Sequence, residues 1–107
     1  MMNNPDLPQL TGLKPHTRSQ RLETAQVLVP LFERKFGDNL LAVALTASMA
    51  RGDDQPYSDL ELDVFLRQLP PQGEDRYLQR IVDGLLVEAV YYTPESYLQP
   101  FLEPDGD

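Results

Sequence analysis

The chain contains no cysteine and no tryptophan, and one histidine, His16. Without cysteine there is no disulfide, no zinc–thiolate site and no thiol nucleophile. That composition is compatible with a cytoplasmic protein, which is the expectation here. Basic residues are few: nine Lys and Arg stand against 17 Asp and Glu, a net charge of 9 − 17 = −8. Such a surface disfavours non-specific contact with nucleic acid or anionic membrane and permits a cationic partner. No apolar run approaches the ~18 residues a membrane-spanning helix needs. The start, Met1-Met2-Asn3-Asn4-Pro5-Asp6, lacks a basic segment followed by an apolar one, so a signal peptide is not expected. What remains is 107 residues, 41% hydrophobic, enough for one domain with a modest core.

Residues 1–16 hold three of the ten prolines and little periodicity, and are expected to be a loose lead-in. The domain proper is placed at 17–107. Thr17 is suited to cap a helix, with Gln20 three residues on. Leu22, Ala25, Val29, Phe32 and Phe36 then recur at helical steps. Pro30 should kink or shorten that helix, and Gly37 should end it. Leu40–Leu45 is continuously apolar, as expected of a strand buried on both faces. Ser58–Leu66 alternates, with Leu60, Leu62, Val64 and Leu66 on a core face and Asp59, Glu61, Asp63 and Phe65 on the other. Leu69–Glu74 breaks the chain. Asp75–Asp83 suggests a helix with Tyr77, Leu78, Ile81 and Val82 as its stripe, ended by Gly84. Leu85–Tyr92 is expected to be a third strand. Thr93-Pro94 starts a last helix that Pro100 should cut short. The expected fold is α/β (α+β), a small mixed sheet with helices on one face and the acids on the other.

The chemistry concentrates in Ala47 to Asp63. A small-residue turn precedes two acids at i and i+2, Asp59 and Glu61. In a strand that spacing places them on one face, roughly 7 Å apart. Carboxylates so placed can converge on divalent metals such as Mg²⁺, and backbone N–H groups of a small-residue turn can hold phosphate. Alternating acids are also what an ordinary solvated strand face looks like. Ser48 is either a turn residue or a phosphate contact, and Arg51 either a surface charge or a group facing a triphosphate. Glu88, in an apolar strand, either lies at a solvated edge or joins Asp59 and Glu61 as a third acid, since a lone buried carboxylate is costly. Asp63 is read mainly as exposed or hydrogen-bonded, Asp53-Asp54 as a solvated loop that could attract a cation, His16 as solvated.

Together Ala47-Ser48, Met49–Arg51, Asp59-x-Glu61 and Glu88 resemble the nucleotidyltransferase superfamily with the DNA polymerase β-like palm. Gln55-Pro56-Tyr57-Ser58-Asp59-Leu60-Glu61 is most similar to the kanamycin (aminoglycoside) nucleotidyltransferases. The likeness extends back through Thr17-Arg18 and Phe36-Gly37-Asp38, and forward through Val87-Glu88. It implies a palm that binds Mg²⁺ and ATP or another nucleoside triphosphate and transfers a nucleoside monophosphate to a hydroxyl. Asp59, Glu61 and Glu88 would be the catalytic and metal-binding acids. Ala47, Ser48, Arg51 and Ser58 would contact the nucleotide. The acceptor would be a cationic, aminoglycoside-like molecule. The alternatives are a minimal enzyme modifying a partner protein, as in toxin–antitoxin pairs, and a non-catalytic palm used for binding. The family pattern has glycine where this chain has Ala47; if that position needs positive φ, a methyl group is unfavourable. The family enzymes also add a C-terminal helical domain carrying a general base and work as dimers. By resemblance, this chain is expected to lack that domain, to be nearly inactive alone, and to self-associate.

Overall fold

The structure is a computed structural model that describes residues 12–71 and 76–102. Most of the lead-in, part of the Leu69–Glu74 break and the polar tail lie outside the described residues.

Helix α1 (Arg18–Phe36) begins where the chain offers a reciprocal cap. The Gln20 N–H donates to the Thr17 hydroxyl, and the Thr17 N–H to the Gln20 side chain. Four otherwise unpartnered N–H groups at a helix start make such a box stabilising. The helix continues through Pro30 for six residues, so the proline neither ends nor shortens it. Gly37 closes it, donating its N–H to the Glu33 carbonyl. A single 3₁₀ turn, Gly37–Asn39, leads into β1 (Leu40–Leu45), followed by the short helix α2 (Ala47–Arg51) and then β2 (Leu60–Leu66).

Residues 77–82 are a strand, β3 (Tyr77–Val82), and not part of a helix. Their apolar residues fit a helical stripe, but the decisive signal is the next pair. Asp83 and Gly84 both have positive φ, 49° and 77°, the conformation of a two-residue hairpin turn. They join β3 to β4 (Leu85–Tyr92), pairing Val82 with Leu85. Gly84 therefore turns a hairpin instead of ending a helix. A Cβ there would also meet Lys14 Cγ at 2.7 Å.

The four strands run in the order β1-β2-β4-β3. β2 and β4 are parallel and central, and the outer strands are antiparallel to them. β1 is thus an edge strand with a register break between Leu40 and Ala42. That explains why Leu41 and Ala42 are exposed rather than buried on both faces. α1 packs Ala25 and Phe32 with Leu60, Leu62, Val64, Leu66, Leu85, Val87, Ala89 and Tyr91 to form the core. Helix α3 (Pro94–Leu102) is capped by Thr93, whose hydroxyl accepts from the Ser96 N–H, and runs two residues past Pro100. Its Tyr97 packs edge-on against Phe65 and Tyr92.

Candidate functional site

Alternation in β2 and β4 sends alternate side chains to opposite faces of the sheet. Leu60 and Leu62 are buried, so Asp59, just before the strand, and Glu61 fall on the other face. In β4, burial of Val87 and Ala89 turns Glu88 the same way. The parallel register pairs Glu61 with Glu88. A ligand oxygen from each of Asp59, Glu61 and Glu88 lies within 4.8 Å of the other two, and all three residues are half-buried.

Partial burial raises the Glu61 pKa above its ordinary range, and the Asp59, Glu88 and Asp63 charges push it further. Asp63, next along the face, is raised by partial burial. Gln79 Nε2, from the cross-strand partner position in β3, donates to Glu88 Oε2 at 3.0 Å. That contact needs β3 to be a strand, so it is not visible while the segment is read as a helix.

The small-residue turn adjoins the acids. The Thr46 N–H and hydroxyl both approach the Glu61 carbonyl, at 3.1 and 3.3 Å, which fixes the start of α2 beside β2. Ala47 has φ +56°, the left-handed region that disfavours a side chain. Ser48 is half-buried in the first turn of α2. Ser58 spends its hydroxyl on the loop, accepting from the Gln55 N–H at 2.7 Å. Arg51 extends into solvent and pairs with Asp53 at 3.1 Å. Beside Asp59, a cleft of about 300 Å³ opens between Lys14, Tyr57, Ser58 and Leu86, the lower end of small-ligand sites.

Two residues depart from their expected setting. Asp54 is not a solvated loop acid; its carboxylate is buried between Arg18 and Arg21 of α1, and their hydrogen bonds, that of Arg21 foremost, hold its pKa down. The signal was Arg21 itself, a basic residue four before Ala25 on the buried face of α1. His16 is half-buried, its Nδ1 2.9 Å from the Lys14 carbonyl oxygen and its Nε2 3.0 Å from that of Asp83.

The three acids fit a hard divalent cation. Their donors are all carboxylate oxygens, and a span of 4.8 Å is close to the roughly 4.2 Å across an octahedral Mg²⁺ with bonds of about 2.1 Å. A cation there would also offset the repulsion from Asp59, Glu88 and Asp63 that adds to the effect of burial on Glu61.

No protein-family model matches the chain. The chain is similar to a protein of Methanocaldococcus jannaschii named as a candidate protein adenylyltransferase, with 36% identity over 59 residues. The match covers 55% of this chain and 39% of that relative, well under half of its length. It supports a relationship of nucleotidyltransferase type.

Proposed function

We propose that the chain is the palm of a nucleotidyltransferase that transfers a nucleoside monophosphate from ATP to a hydroxyl of a protein acceptor. The observation that carries this reading is the convergence of Asp59, Glu61 and Glu88 within 4.8 Å on one face of two parallel strands. These acids would hold Mg²⁺. Mg²⁺ held there would supply charge neutralisation for the triphosphate and the pyrophosphate leaving group. The protein's own part is positional. Asp59 and Glu61 supply oxygens from adjacent points of one strand, and Glu88 closes the set from the next. The turn at Ala47-Ser48, hitched to Glu61 through Thr46, would offer backbone N–H groups to the triphosphate. The cleft beside Asp59 offers room for a group to be held next to the acids.

The protein acceptor is favoured by the relative's name. An aminoglycoside acceptor is the second reading, favoured by Pro56-Tyr57-Ser58-Asp59-x-Glu61 and by a net charge of −8, which suits a polycation.

Isothermal titration with a non-hydrolysable ATP analogue tests the core claim. Binding should require Mg²⁺ and be lost in Asp59→Asn. Absent or metal-independent binding would sink it. α-Phosphate-labelled ATP then separates the acceptors: label should pass to protein in one arm and to kanamycin in the other only if the second reading holds.

A further inference from the structure

We propose that Arg21, Asp54 and Arg18 are positioning residues that hold Asp59 and helix α2 in register with Glu61 and Glu88. The proposal rests on the metal-site reading above. Between α2 and β2 the chain crosses residues 52–59 with no regular secondary structure, yet it must deliver Asp59 at a defined point. A backbone hydrogen bond from the His16 N–H to the Pro56 carbonyl at 2.7 Å ties the loop to the segment before α1, and side-chain anchors add to it. α1 supplies them. Arg21, 1% exposed, donates from Nη2 to Asp54 Oδ2 and from Nη1 to the carbonyls of His16 and Ser58, at 3.2 and 3.4 Å. Ser58 immediately precedes Asp59. Arg18 donates from Nη1 to Asp54 Oδ1 at 2.6 Å and from Nη2 to the Met49 carbonyl in α2 at 2.9 Å. One acid and two guanidinium forks thus join the start of α1, the phosphate-turn helix and the residue before Asp59.

The arrangement is a poor choice for stability alone. Burying an ion pair costs desolvation that its attraction barely offsets, and packed apolar side chains often serve as well. Arg21 Nε has no hydrogen-bond partner among the described residues, a further cost. What the pair provides, and leucine could not, is direction. A planar fork fixes several acceptors at set angles.

The test uses the whole chain, with Asp54→Asn and Arg18→Gln. Circular dichroism first establishes that each variant is folded. Should Asp54→Asn fail to fold, Arg18→Gln carries the test, because the Arg18 side chain is half exposed (47%). Two readouts follow. Calorimetric titration with Mn²⁺ alone should show at least about a tenfold weaker affinity for Asp54→Asn and a smaller loss for Arg18→Gln, the scale of groups that orient metal ligands. Amide hydrogen exchange should accelerate at residues 53–59 while β2 keeps its protection. Folded variants with wild-type Mn²⁺ affinity overturn the positioning role. If the wild type itself binds no Mn²⁺, the metal-site reading fails. Exchange then judges the anchor separately: faster exchange at 53–59 upholds it and unchanged exchange overturns it.

Discussion

The two faces of the central strands differ in what they ask of the same backbone. On one face Leu60, Leu62, Val64 and Leu66 meet Leu85, Val87 and Ala89 under α1, each at most 2% exposed. On the other, Asp59, Glu61 and Glu88 crowd three carboxylates into half-buried space. The first face gains from every contact. The second raises a carboxyl pKa against its own charge. Core burial in these two strands supports a face whose like charges by themselves would push them apart.

The sharpest way to break the comparison is to damage the stabilising face. Leu62→Ala should cost about 2–5 kcal/mol, read by urea denaturation. Its neighbour Glu61→Gln should cost nothing or stabilise, because it removes one of three like charges. A larger loss from Glu61→Gln than from Leu62→Ala would invert the picture. For the nucleotidyl transfer proposed above, the order should reverse: Glu61→Gln should lower kcat/KM by about 10²-fold or more, the scale of losing one preorganised electrostatic contact.

Ala47→Gly comes next. Relieving a left-handed alanine is worth about 1 kcal/mol, less the extra entropy of glycine in the unfolded chain. Thermal melting should rise by a few degrees at most, and Mg²⁺-dependent nucleotide affinity should not fall. A lower Tm with weaker binding would show that the methyl group is a useful contact.

The smallest effect is in pH dependence, and its sign differs between regions. Glu61 and Asp63 have raised pKa values, so the folded state holds more protons than the unfolded one just above their ordinary values of 4.5 and 3.8. Stability from this face should therefore fall as pH rises from those values through the raised ones. Asp54 is lowered, so its contribution is complete above its ordinary 3.8 and is lost as pH falls through the lowered value. Melts from about pH 3 to pH 7 on wild type, Glu61→Gln and Asp54→Asn separate the two. Glu61→Gln should flatten the high-pH decline and Asp54→Asn the low-pH one. Added Mg²⁺ should flatten the former in the wild type.

Much of this was legible in the chain. The Thr17–Gln20 box, the β1 and β4 spans and the alternation of β2 all lie in local sequence, where one residue's chemistry and its near neighbours decide the outcome. β3 was not, because six residues with Tyr, Leu, Ile and Val satisfy either period, and only the Asp83-Gly84 turn chooses. β1 carries the apolar run of a central strand but sits at an edge, since strand order is set by how β2 and β4 pair across a long connection. Asp54 looks like any loop acid until α1 lies over it.

The sequence by itself determined that Asp59 and Glu61 share a face, because strand alternation is local geometry, and that Ala47 would sit uneasily wherever φ is positive. Tertiary structure alone decided that Glu88, 27 positions beyond Glu61, stands beside it, and that Arg18 and Arg21 reach back over Asp54. Register between strands and the seating of a helix depend on contacts between residues distant in the chain. Those contacts are settled by burying the leucines and valines of the opposite face, so the hydrophobic side of the sheet decides where the charged side converges.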